Sequence, residues 1–142
     1  MSICRYVFTL VAALALLALP ACSDDGKSSP DGAVPEGPVT QVEADRTVSG
    51  LCEMLRIGRR DRDALNDVFF DQSHAGLHRI AADAQSRDRA ATGLLLERKQ
   101  LVENDLLADP IPKTFDEDID SLVHATSGAL RVIDLDAPRC DG

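Results

Sequence analysis

The chain has 142 residues, with 15 Lys and Arg against 24 Asp and Glu, giving a formal net charge of −9. Nucleic acid and anionic lipid headgroups repel so acidic a chain, which excludes both as electrostatic partners. With no Trp, one Tyr and four Phe, the material for burial is aliphatic and sufficient for one core rather than two.

In chain order, Arg5 is followed by an uncharged run from Val7 to Leu19 in which Thr9 is the only polar residue. A basic start before a short apolar run has the form of an export signal. The run is thirteen residues long and Pro20 closes it. A helix needs roughly 20 apolar residues to cross a bilayer, so a permanent span is not expected here. The next residues, Leu19-Pro20-Ala21-Cys22, resemble the lipobox of bacterial lipoproteins, which carries Leu three residues before a Cys and a small residue just before it. The resemblance covers about the first 22 residues, and Pro20 departs from the small Ala or Ser usual there. It implies that residues 1–21 are removed and that the Cys22 thiol takes a diacylglyceryl group, anchoring the chain to the membrane on its extracytoplasmic face. Ordinary secretion, with a cut after Ser23, is the rival reading.

On the lipoprotein reading, removal of residues 1–21 takes away Cys4, and acylation occupies Cys22. That leaves Cys52 and Cys140. Export permits a disulfide between them, the alternative being two buried free thiols. The signal removes one charge, Arg5, so the chain stays acidic and its membrane attachment rests on lipid rather than on a basic face.

From Ser23 to about Thr40 the sequence is rich in Ser, Asp, Gly and Pro, with little to bury. Such a composition reads as a flexible tether. Residues 22–40 are thus assigned to the lipidated Cys and tether, and 41–142 to a folded domain.

Apolar spacing within that domain is helical throughout. A first helix, about Val42 to Ile57, aligns Ala44, Val48, Leu51 and Leu55, borders them with Cys52, and ends at Gly58. The second, about Arg62 to Gln85, aligns Leu65, Phe69, Gly76, Ile80 and Ala84. The third, about Asp88 to Leu107, aligns Ala91, Leu94, Leu95, Leu101, Val102 and Leu106, with Asp88 as its N-cap. Asp109-Pro110-Ile111-Pro112 breaks the helical run. Thr114 then caps a fourth helix with the stripe Phe115, Ile119, Leu122, Thr126, Leu130 and Ile133. Asp116, Glu117 and Asp118 lie in its first turn, at the positive end of the helix dipole. Four amphipathic helices with short connections predict an all-α fold, an antiparallel up-down four-helix bundle. In that topology the tail from Leu135 reaches back far enough to bring Cys140 to Cys52.

Few residues carry chemistry. Asp71, His74 and His78 stand at i, i+3 and i+7, within about 60° on one helical face and turned away from the apolar stripe. The plain reading is a solvated polar face. The chemical alternative is a divalent-metal site, since two His one turn apart can share an ion. His124 falls opposite the stripe of the fourth helix.

Arg98 lies amid Leu94, Leu101 and Val102, where an unpaired guanidinium is costly. Its stem then packs while its head reaches the rim or a carboxylate, or it forms an anion-binding position in a groove. Ser73 and Thr126, on core-facing stripes, are expected to bond carbonyls of their own helices.

There is no nucleophile elbow, phosphate-cradling glycine loop or Cys-x-x-Cys. The stretches Phe69 to His78 and Leu94 to Gln100 resemble small helical lipoproteins of actinobacterial type. The expected function is a non-catalytic, protein-binding or structural envelope component. An extracytoplasmic divalent-metal binder using Asp71, His74 and His78 is the alternative.

Overall fold

The structure, a computed structural model, describes residues 37–140. The expected signal segment with Cys4, the expected lipidation site Cys22 and the expected tether through residue 36 lie outside the described residues. Those described are all-helical: α1 (Gln41–Ile57), α2 (Arg62–Val68), α3 (Ala75–Gln85), α4 (Arg89–Leu107) and α5 (Phe115–Val132). A π-helical segment, Phe69–His74, joins α2 to α3, so the expected second helix is one rod with a widened turn in its middle. No helix among the described residues is long and apolar enough to cross a membrane.

Each helix starts and stops for a local reason. Thr40 accepts from the Glu43 amide while the Glu43 side chain accepts from the Thr40 amide, a capping box that begins α1. Gly58, at φ 57°, ends it in a backbone region that favours glycine. Asp61 caps α2 through the Ala64 amide, and Asp88 caps α4 through the amides of Ala90 and Ala91, as its position suggested. Thr114 does not cap α5. It takes helical angles with no side-chain bond, and the Phe115 amide donates instead to the Pro112 carbonyl at 3.3 Å. Helix α5 ends with Asp134 at φ 62°, the Leu135 amide donating to Leu130 O and the Asp134 amide to Arg131 O. This is a Schellman closure in which Asp stands where glycine is commoner.

One core unites the helices, built on Phe69, Phe115, Leu51, Leu65, Leu95 and Leu130, all fully buried. Val39 closes one edge, and its amide donates to Asp83 Oδ2 at 2.6 Å. Ordered packing therefore reaches back into the stretch that composition assigns to the tether. The rod approaches α1 closely. A Cβ on Gly50 would collide with Ser73 Oγ, and one on Gly76 with Thr47 Oγ1. Ser73 sits at this approach and donates to Thr47 O of α1 at 2.9 Å, not to its own helix as expected. Thr126 does bond its own helix, at Leu122 O.

Two helix faces differ from the sequence reading. Along the rod, burial passes from Leu65 and Phe69 to Leu77, Ile80, Ala81 and Ala84. Counted on a regular helix these residues would spread over about 160° of one face, and the wider π turn shifts the second set relative to the first. On α4 the buried residues are Thr92, Leu95, Lys99, Val102 and Leu106, while Leu94 is 45% exposed. Helix α4 packs against both α3 and α5. Its leucines are scattered enough around the axis that spacing alone misplaced the centre of the face. The charged residue taken inside is accordingly Lys99, not Arg98.

Candidate functional site

The π turn places the histidines. By adding a residue to the turn it carries His74 toward α4, where Nε2 lies 3.1 Å from Glu103 Oε1. Lys99, 5% exposed, donates from Nζ to the same Glu103 oxygen at 2.6 Å. His78, one turn on from His74, meets it edge to face with ring centroids 4.9 Å apart. Phe69 and Phe70 flank His74 at 5.7 and 5.2 Å, and Phe70 remains 53% exposed. Four ionisable side chains thus share one seam between α3 and α4.

The electrostatics follow from this crowding. Partial desolvation against its neighbours lowers the His78 pKa from its ordinary 6.5, the Lys99 charge and His74 lower it further, and Glu103 opposes them. Glu103 is the one carboxylate offsetting Lys99, and a buried ammonium is tolerated only with such a partner. The neutral imidazole at position 78 suits a seam that already holds a cation.

Asp71 does not join this group. Its carbonyl accepts from the Arg46 guanidinium of α1 at 3.0 Å, and its carboxylate pairs with neither histidine. Among the described residues, no three His, Cys, Asp or Glu side chains are placed to hold a metal ion. The spacing i, i+3, i+7 assumed a regular helix, and the π turn separates Asp71 from the residues it was expected to accompany. It also turns His74, expected to face solvent, partly into the α4 seam, whereas His78 stays exposed.

A second feature lies on the opposite shoulder of α4. Ala91, Leu94, Arg98, Asp120, His124 and Gly128 line a groove of about 380 Å³ between α4 and α5. Arg98, expected within the apolar stripe, stands in this groove with its side chain 34% exposed. Among the described residues, the carboxylate within 4 Å of it is that of Glu97, at 3.7 Å. Lower in the same seam, burial and then the nearby Asp118 raise the Asp105 pKa, and its Oδ2 is buried without a hydrogen-bond partner.

Cys52, on α1, and Cys140, in the tail after α5, lie at disulfide distance with Cα atoms 5.2 Å apart. Two hydrogen bonds hold the tail there, from Gln41 Nε2 to Asp136 O and from the Asp136 amide to Gln41 Oε1.

Spacing missed Lys99 and Glu103. Their i, i+4 separation was a legible ion-pair signal, but their meeting with two histidines arises only from helix packing. No family model, curated protein or solved structure matches this chain.

Proposed function

We propose that the chain is a lipoprotein held on the extracytoplasmic face of the cell membrane by acylated Cys22, with a non-catalytic helical domain serving a protein-binding or structural role in the envelope. The observation that carries this reading is the sequence Leu19-Pro20-Ala21-Cys22 directly after the apolar run from Val7. The approach of Cys52 to Cys140 supports it, because a disulfide persists in an oxidising, exported setting.

The bundle reads as antiparallel and up-down. Residue numbers run in opposite directions across three seams: Thr47 meets Gly76 while Gly50 meets Ser73, and Arg62 meets Leu106 while His74 meets Glu103. Likewise Arg87 meets Val132 while Asp105 meets Asp118. Such a domain closes its own core and leaves its polar faces for a partner.

Detergent partitioning of the wild type and Cys22→Ala tests the anchor. The wild type enters the detergent phase and the variant stays aqueous or accumulates as precursor. Identical partitioning of the two overturns the lipoprotein reading.

A further inference from the structure

We propose that the groove between α4 and α5 binds a small zwitterion with an apolar side chain, of the α-amino acid class. Arg98 would receive the carboxylate, Asp120 the ammonium, and the surface around Leu94 and Gly128 the side chain.

Three observations carry this. First, the groove's volume of about 380 Å³ falls within the range typical of small-molecule sites, roughly 300–1,000 Å³. Second, opposite charges from two helices line it without pairing with each other. Arg98 reaches only its sequence neighbour Glu97, at 3.7 Å, beyond hydrogen-bond distance. Asp120 has His124 Nδ1 at 3.4 Å, but that nitrogen is already bonded to the Asp120 carbonyl at 2.8 Å. Both charged groups therefore keep their hydrogen-bonding capacity for a ligand that offers an anion and a cation together. A simple carboxylate would satisfy Arg98 and be repelled by Asp120; a simple amine would suffer the reverse.

Third, the groove's remaining lining, Ser121 and His124 apart, is apolar, formed by Ala91, Leu94, Ala125 and Gly128. With α4 and α5 opposed as above, Ala91, Leu94 and Gly128 lie toward the end away from Arg98 and Asp120. Gly128 stands inside a helix, where glycine costs roughly 0.5–1 kcal/mol relative to alanine. Packing does not require it, because a Cβ there would meet nothing within 4 Å. Gly50 and Gly76, by contrast, are demanded by the approach of α1 to the rod. Leu94, 45% exposed, supplies an apolar wall that desolvates with an aliphatic side chain.

The test is titration of the ¹⁵N-labelled exported chain in detergent micelles with L-leucine, followed by amide chemical shifts. The amides of Leu94, Arg98, Asp120 and Gly128 shift saturably, while those of Leu51 and Leu77 stay still. Arg98→Ala and Asp120→Asn each weaken binding by roughly tenfold or more, the loss of one charged hydrogen-bonding partner. Gly128→Leu fills the open end and abolishes binding with helical circular dichroism unchanged. N-acetyl-leucine, which keeps the carboxylate and side chain but lacks the ammonium, binds far more weakly. The proposal is overturned by the absence of a saturable shift, by binding that survives Arg98→Ala unchanged, or by equal affinity for leucine and its N-acetyl derivative.

Discussion

Glu103→Gln is expected to be among the most destabilising polar substitutions in the domain, although Glu103 lies at a seam rather than in the aliphatic core. The Lys99 side chain is 6% exposed and its ammonium is 2.6 Å from Glu103 Oε1. A neutral amide of the same shape leaves that ammonium buried without a counter-charge. Breaking a buried pair in this way typically costs about 3–5 kcal/mol, a large share of the roughly 5–15 kcal/mol that holds a domain folded. Removing both charges differs in kind. In Lys99→Met/Glu103→Leu nothing charged is left to solvate, and apolar replacement of such a pair is typically neutral or stabilising. Urea denaturation followed by helical circular dichroism, run as a double-mutant cycle, measures the coupling. A Glu103→Gln variant within about 0.5 kcal/mol of wild type, the range of ordinary surface changes, would refute the reasoning, as would a double variant as unstable as Glu103→Gln alone.

The lowered pKa of His78 sets a pH dependence: the folded state resists protonation that the unfolded chain accepts near 6.5. His78 therefore costs the fold nothing well above pH 6.5, and its protonation deficit lowers stability as pH falls through 6.5 toward the depressed folded value, below which the loss levels off. His78→Ala should flatten the slope in that window, and an unchanged slope would assign it to other groups. Leu95 and Leu130 are fully buried, so Leu→Ala at either should cost about 2–5 kcal/mol on the same urea scale. His78→Ala at neutral pH, at an exposed position, should stay within about 0.5 kcal/mol. Non-reducing peptide mapping of the protein produced with export should yield one cross-linked peptide joining Cys52 to Cys140, whereas full alkylation of both thiols without reductant would contradict the bond.

Much of the fold was legible because the signals that specify it are local. Gly58, Asp88 and the proline-flanked Ile111 mark helix ends by chemistry acting within a few residues, and the structure places breaks at all three. The α5 stripe was readable because Phe115, Ile119, Leu122, Thr126 and Leu130 are all buried in one line. The start of α1 carried a local signal as well. Thr40 and Glu43 stand at capping-box spacing, and they place the helix boundary beside Val39, whose burial a composition-based tether boundary at residue 40 obscured.

What escaped the sequence depends on relations between helices. Nothing in Phe69 to His74 announces a π turn. Leu65 before it, Phe69 at its start and Leu77, Ile80, Ala81 and Ala84 after it are all buried, so the rod holds its apolar face across the wider turn. The consequence of the wider turn is chemical: angles counted from Leu65 at a constant helical pitch go wrong after it. Asp71, His74 and His78 looked like one surface face under that count. With the wider turn, His74 instead meets Glu103 of α4, and Asp71 keeps its backbone bond to Arg46 of α1.

Helix α4 shows the same dependence from the other side. Leu94, Leu95 and Leu96 offer three candidate faces, and the choice falls to whichever lets α4 cover both α3 and α5. That choice buries Lys99 against Glu103 and brings Arg98 to the α5 groove. A guanidinium that spacing placed in the core is thereby set opposite Asp120, across open space rather than among leucines. The rotation of one helix decides which cation serves packing and which remains available to a ligand.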